Sequence, residues 1–234
     1  MDHPLVSLLD RPTYGLAEVD GLLGLKAGTA RRWIDGYVRS DKAYPPIVRL
    51  ESTGEETVTW GEFVEARLLA EYRSQGALIY RMRPAVERLR EELGTPYPLA
   101  HAAPLLDVAG RELVRRVQEE LRLAGALHLV VVRSGQVVLA DESAAFTRSA
   151  DYSETPERIV ERIYPAPDLR QVVFDPLRRS GRPVVRSVAT EVIAEQFRAG
   201  DPIASIAEAY ELPPTDVEAA IRYELQAAGS SEAA

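Results

Sequence analysis

Cysteine is absent from this 234-residue chain, which excludes disulfide bonds and metal sites built on thiolates. No apolar run approaches the roughly 20 residues that a membrane-spanning helix needs. The opening residues, MDHPLVSLLD, lack both the basic start and the long apolar core of a signal peptide. These absences predict a cytoplasmic protein with no membrane segment.

The sequence also lacks the short motifs that usually accompany catalysis or cofactor binding. It contains no Walker loop, no G-x-G-x-x-G fingerprint and no G-x-S-x-G elbow. The three histidines (His3, His101 and His128) are scattered, and none stands at metal-ligand spacing to another. We therefore expect a binding protein rather than an enzyme, with no cofactor and no metal.

Lysine is scarce: of the 28 basic residues only Lys26 and Lys42 are lysines. The formal net charge is −8. The charge is unevenly distributed along the chain. Residues 26–49 carry six basic and two acidic side chains, whereas residues 190–226 carry two basic and eight acidic ones. Duplex DNA would attract the first segment and repel the second.

The stretch from Thr13 to Tyr37 predicts two short helices joined by a tight turn. Thr13 is placed to cap the first helix, and Gly24 can end it in the left-handed conformation. The apolar residues of the second helix recur at helical spacing and are Ala30, Trp33, Ile34 and Tyr37. The outward residues are Thr29, Arg31, Arg32, Asp35 and Arg39. This arrangement is typical of a helix-turn-helix DNA reader, although a plain helical hairpin with a solvated basic face has the same pattern.

A β-hairpin is predicted directly after this helical pair. Pro45 and Pro46 break the chain, and β-type runs at 47–51 and 56–60 then flank a turn that contains Gly54. Such a hairpin would be the wing of a winged helix-turn-helix and would bring Arg49 to a phosphate. The alternative is an ordinary edge hairpin.

The rest of the chain completes a mainly α fold with small β elements, in the α+β class. The predicted organisation is a loose leader at 1–12, a winged helix-turn-helix domain at 13–94, a small α+β middle segment at 95–168, a three-helix domain at 169–226 and a disordered tail at 227–234. Val192, Ile193, Phe197 and Leu225 are expected to face inward in the three-helix domain. Arginines alternate with glutamates around 83–93, which predicts a solvated helix face.

A basic connector precedes the three C-terminal helices. It carries Arg178, Arg179, Arg182 and Arg186 around Gly181 and Pro183. These arginines could contact a phosphate backbone or pair with the acidic side chains of the following helices, and the sequence favours neither.

Two parts of the chain resemble known families. Residues 14–93 resemble the winged helix-turn-helix of MerR-type regulators, and Asp20 stands where that pattern usually has a small apolar residue. The residues that carry this resemblance are Leu16-Ala17-Glu18-Val19, Leu22-Leu23-Gly24-Leu25, Thr29-Ala30-Arg31-Arg32-Trp33, Phe63 and the helix near Arg81–Leu93. Residues 172–226 resemble the small helical domain of unknown function found in VapB-like antitoxins. That match rests on Gly181–Arg186, Val192-Ile193, Ala199-Gly200, Ile206-Ala207, Tyr210, Val217, Ala220 and Tyr223.

The combined resemblance implies an antitoxin that neutralises a PIN-like ribonuclease toxin and represses its own operon. We expect a homodimer, paired through the acidic C-terminal helices, that binds double-stranded operator DNA. The expected DNA contacts are Thr29, Arg31 and Arg32 in the major groove, and Lys26, Tyr37, Arg39, Lys42 and Arg49 around them. Two alternatives are a stand-alone MerR-like regulator whose middle segment senses a small ligand, and a module that binds only proteins.

Overall fold

The computed structural model describes residues 7–232, without the side chains of 230–232, and the predicted α+β class is confirmed. The helices are α1 (Leu16–Leu22), α2 (Thr29–Ile34), α3 (Trp60–Ser74), α4 (Arg83–Leu93), α5 (Ala103–Leu106), α6 (Val108–Glu120), α7 (Asp141–Arg148), α8 (Thr190–Ala199), α9 (Ile203–Ala209) and α10 (Pro214–Glu232). The strands are β1 (Pro12–Gly15), β2 (Tyr37–Arg39), β3 (Lys42–Tyr44), β4 (Thr57–Thr59), β5 (Val130–Arg133), β6 (Gln136–Leu139), β7 (Ala150–Tyr152), β8 (Val160–Ile163), β9 (Val172–Val173), β10 (Val184–Val185) and β11 (Val188–Ala189). Within 7–232, no helix has the length and apolarity required to cross a bilayer.

The strands form small antiparallel sheets. β1 pairs with β4, β2 with β3, β5 with β6 and β7 with β8, while β10 lies between β9 and β11. The β5–β6 hairpin turns through Ser134 and Gly135, both of which have positive φ. Two consecutive positive φ values give the primed turn that matches the strand twist.

Helix α3 lies at the centre of one continuous core. Its Phe63 is fully buried, and the ring lies 4.5 Å from that of Tyr14 and 5.6 Å from that of Phe174. Phe174 in turn lies 6.3 Å from the ring of Tyr223 in α10. This line of aromatic rings joins β1, α3 and α10, so the N-terminal part of the chain and the last helix share their hydrophobic packing.

The hairpin that follows α2 differs from the predicted one. The observed hairpin is β2–β3, which turns through Ser40 and Asp41, and β4 pairs with β1 rather than with residues 47–51. The backbone amides of Ile47 and Val48 both donate to the carbonyl of Trp33, at 2.8 and 3.0 Å. Because these donors are already used, residues 47–51 do not form the expected strand.

The chain ends also differ from the prediction. Residues 1–6 of the predicted leader lie outside the described residues, but Leu9 is buried in the core and β1 begins at Pro12. Helix α10 continues to Glu232, where a disordered tail was predicted from residue 227; residues 233–234 lie outside the described part. Ala227 and Ala228 favour this continuation because alanine has the highest helix propensity.

Helix α8 buries a narrower stripe than its sequence pattern predicts. Ile193 and Ala194 are buried, whereas Val192 and Phe197 are 39% and 41% exposed. In α10, Leu225 is 59% exposed rather than inward. These three apolar side chains therefore remain on the surface of the acidic C-terminal domain.

Candidate nucleic-acid interface

The turn between α1 and α2 is held by a buried carboxylate. Asp20 is in α1, and its Oδ2 accepts a hydrogen bond from the amide of Gly28 (2.6 Å) while its Oδ1 accepts one from the amide of Ala30 (2.7 Å). Its carbonyl accepts a third bond from the amide of Leu25. Asp20 therefore satisfies amides at the start of α2 and fixes the angle between the two helices. The sequence marked Asp20 only as a departure from the MerR-type pattern and did not predict this role.

Helix α2 buries Ala30, Trp33 and Ile34 as predicted, and it exposes Arg32, whereas Tyr37, the fourth predicted member of the buried stripe, lies in β2 and is 39% exposed. Thr29 was expected to enter the major groove, but it is only 9% exposed. Its Oγ1 accepts a hydrogen bond from Nη2 of Arg32 at 3.0 Å. Thr29 therefore orients the exposed guanidinium and presents little surface of its own.

Arg31, the second expected base contact, is half-exposed and forms an ion pair with Glu56. Both side chains lie at the surface, where such pairs contribute little free energy. A phosphate or a guanine could therefore take the place of Glu56 at modest cost.

The β2–β3 hairpin extends the basic character of this region. Tyr37 lies opposite Tyr44, with parallel rings 4.6 Å apart, and Arg39 lies opposite Lys42. Lys42 also places its Nζ 5.4 Å from the centre of the Tyr44 ring.

Four exposed cations of this region have no carboxylate within ion-pair distance among residues 7–229; they are Lys26, Arg32, Arg39 and Lys42. We call these four side chains the basic surface. They are unpaired cations on a chain whose formal net charge is −8, and the exposed Asp41 lies in the hairpin turn between Arg39 and Lys42.

Arg49 is not part of this surface, contrary to the prediction that it contacts a phosphate. Its side chain is 7% exposed and lies between two buried carboxylates. Nη1 donates to Asp35 at 2.8 Å and Nε donates to Glu62 at 2.7 Å. Other donors of the guanidinium reach the carbonyls of Glu55 and Thr57. Arg49 is therefore a structural hub that ties α2 to α3.

The electrostatics of this hub favour its charged state. Burial alone would raise the pKa of Asp35, but hydrogen bonds from the Thr53 amide and from Arg49 lower that pKa below its ordinary value. Burial would likewise lower the pKa of Arg49, but its bonds to Glu62 and Asp35 raise it. Both partners therefore stay ionised in the folded protein at neutral pH.

The helix α4 face that was predicted to be solvated contains a buried arginine. Arg90 is 6% exposed and donates to the carbonyls of Val48 and Pro96. Its Nη2 lies 4.0 Å from Oε2 of Glu65, a fully buried side chain whose Oε1 accepts from the amide of Leu99. Burial raises the pKa of Glu65 to about 8, and the guanidinium only partly opposes this shift.

Three connector arginines form ion pairs, but only Arg182 and Arg186 pair with acidic side chains of the following helices, which is one of the two alternatives that the sequence left open. Arg179 differs, because its Nε donates to the carbonyl of Ser187. The pairs are Arg178 with Asp175, Arg182 with Glu18 and Glu191, and Arg186 with Asp216. Arg182 therefore bridges α1 and α8, and the connector attaches the C-terminal helices to the N-terminal pair.

Comparisons with known proteins connect this chain to mycobacterial proteins. Residues 172–223 match the family described as "Protein of unknown function (DUF433)", which confirms the predicted small helical domain of unknown function. The crystal structure of Rv2018 from Mycobacterium tuberculosis superposes with a TM-score of 0.71 and 26% identity, over 91% of this chain and 99% of that one. The uncharacterized protein Rv2308 from the same organism is 39% identical over 226 residues, which cover 95% of this chain and 94% of that protein.

Neither the MerR-type reader nor the VapB-type antitoxin is supported by these matches. The identity and coverage shared with Rv2308 are high enough to establish a common family along nearly the whole chain. The chain therefore belongs to the family of the uncharacterized mycobacterial protein Rv2308 and carries a C-terminal DUF433 domain.

Proposed function

We propose that the protein binds double-stranded DNA through the basic surface of Lys26, Arg32, Arg39 and Lys42. One observation carries this proposal: these four exposed cations have no carboxylate partner among the described side chains, although the chain as a whole is acidic. Charge separation of this kind attracts a polyanion to one part of a protein and keeps the remainder away from it.

In the proposed complex, α2 lies in the major groove and Arg32 contacts a base edge. The bond from Arg32 to Thr29 restricts the guanidinium before DNA arrives, and bidentate contact with guanine is the commonest specific contact of arginine. Arg31 also contacts the DNA once its ion pair with Glu56 is broken. Lys26, Arg39 and Lys42 contact phosphates, with Tyr37 beside them on the hairpin.

The resemblance to VapB-like antitoxins extends this proposal to a biological role. The protein would repress its own operon in the cytoplasm and neutralise a PIN-like ribonuclease toxin by binding, with no catalytic step of its own. Homodimerisation through the acidic C-terminal domain is supported by the exposed Val192, Phe197 and Leu225, because apolar side chains are favoured at such interfaces.

Fluorescence anisotropy with a labelled duplex from the promoter of the protein's own gene tests DNA binding. We expect Arg32→Gln to weaken binding by about tenfold, the effect of losing one good base contact. The control is Arg115→Gln, which removes an exposed arginine that pairs within α6. Equal affinities for wild-type protein and Arg32→Gln would contradict the proposal.

The antitoxin role is tested separately by co-expression with the neighbouring gene product, followed by sizing with and without promoter DNA. A stable complex that loses ribonuclease activity supports this role. DNA binding without any co-purifying toxin would instead support the alternative, a stand-alone transcription regulator.

A further inference from the structure

A cleft of about 470 Å³ lies beside the basic surface, between α2, the β2–β3 hairpin and the segment that joins α3 to α4. Its volume falls within the range of small-molecule sites. The apolar part of its lining includes Trp33, Ile47 and Ile79, which belong to the protein core. The described residues that line it include three arginines and three tyrosines, and no carboxylate.

The three arginines favour an anionic ligand, and two of them are held in position. Arg83 donates through Nε to the carbonyl of Pro46 at 2.8 Å and through Nη2 to that of Pro45. Arg32 is held by its bond to Thr29. Arg73 is exposed at the end of α3, with no carboxylate within ion-pair distance among the described side chains. Anchored guanidinium groups bind carboxylate and phosphate with little further loss of entropy.

The tyrosines favour a planar aromatic ligand. Tyr37 and Tyr44 are stacked with an interplanar angle of 3° and form one wall of the cleft. Tyr80 also lines the cleft and is 56% exposed. Tyr37 and Tyr44 each cover one face of the other, and Lys42 and Arg81 lie over the rings of Tyr44 and Tyr80, so the outer face of Tyr37 and one face of Tyr80 are left for stacking an aromatic ring.

We propose that this cleft binds a small planar aromatic anion, in which the ring packs on the tyrosines and a phosphate or carboxylate group pairs with Arg73 and Arg83. Because Arg32 belongs both to the cleft and to the basic surface, the bound anion competes with DNA; this competition alone rests on the proposed function. The ligand would therefore act as an effector that releases the protein from its operator.

Isothermal titration calorimetry with the full chain tests the site, using AMP, adenosine, inorganic phosphate and benzoate as separate probes. We expect AMP or benzoate to bind at least about tenfold more tightly than adenosine or phosphate, because only these two probes combine ring and charge. Preference for AMP identifies a phosphate ligand, and preference for benzoate identifies a carboxylate ligand. No heat from either at about 10 mM, or adenosine or phosphate binding as tightly as the better of these two probes, would overturn the proposal.

A matched pair of arginine variants locates the site. Arg73→Gln removes an exposed cleft arginine and should weaken the better probe by about fivefold or more. Arg88→Gln removes an exposed arginine of α4 that does not line the cleft, and it should bind that probe as the wild type does. Equal binding by Arg73→Gln and wild type would overturn the assignment.

The titration and the DNA measurement fail independently. AMP or benzoate binding in a protein that does not bind promoter DNA would preserve the cleft site and refute the proposed function. DNA binding in a protein that binds neither probe would refute the cleft site and leave the proposed function standing. When both occur, the better probe should lower DNA affinity in the anisotropy assay, and unchanged affinity would refute the competition.

Discussion

Replacement of Arg49 by alanine distinguishes a structural arginine from a phosphate contact. The variant leaves Asp35 and Glu62 buried without their shared cation, since their side chains are only 5% and 8% exposed. Loss of one partner of a buried ion pair costs about 3–5 kcal/mol. We expect the upper part of this range, because the same guanidinium also serves the carbonyls of Glu55 and Thr57.

Urea unfolding measures this loss as a decrease in the midpoint at an unchanged slope. The matched control is Arg88→Ala, because Arg88 pairs with two exposed or half-exposed glutamates on the surface of α4. That control should change the free energy of unfolding by less than about 1 kcal/mol. If Arg49→Ala is equally mild and instead reduces the salt dependence of DNA binding, Arg49 is a phosphate contact and the structural assignment is wrong.

Three further variants test other parts of the fold. Asp20→Ala removes the acceptor for the Gly28 and Ala30 amides and should lower the free energy of unfolding by about 2 kcal/mol, measured by urea unfolding; an unchanged midpoint would show that water replaces the carboxylate. Glu65 has a folded pKa of about 8, above its unfolded value near 4.3, so its contribution to stability is complete below the lower value and is lost as pH rises through 8. The glutamine of Glu65→Gln does not titrate, so the melting temperature of this variant relative to that of the wild type should rise from pH 5 to pH 9. A difference in melting temperature that stays constant over this range would refute the shift. Gly36 has a φ of +75°, and Gly36→Ala would place a Cβ 2.6 Å from the carbonyl oxygen of Tyr44, so this variant should have a lower melting temperature. The control is Gly135→Ala, because Gly135 also has a positive φ but has no atom near the added Cβ, so it measures the cost of the backbone conformation alone.

Local signals made several elements predictable from the sequence. The buried stripe of α2 follows from helical spacing, and Gly24, Gly94 and Gly200 end helices or turns at positive φ as their sequence positions indicate. The β5–β6 hairpin follows from two valine-rich runs around a Ser-Gly turn. Each of these features is determined by residues close to one another in the chain.

The features that the sequence did not predict depend on distant partners. From its sequence, strand 57–59 could pair with residues 47–51 in a local hairpin or with a more distant strand. Its actual partner, β1, lies some forty residues earlier in the chain. Arg49 looks like a free cation until Asp35 and Glu62 are brought to it from α2 and α3. The arginine and tyrosine cleft likewise combines α2, the β2–β3 hairpin and the segment that joins α3 to α4, so no local pattern marks it.

The most direct test of DNA binding by the basic surface is the salt dependence of its affinity for promoter duplex. The logarithm of the association constant should fall linearly with the logarithm of salt concentration, by about 0.9 per phosphate contact. Replacing both Arg39 and Lys42 by glutamine should reduce the magnitude of this slope by about 2 for each bound chain. A slope that is near zero in the wild type, or unchanged in the double variant, would contradict the account.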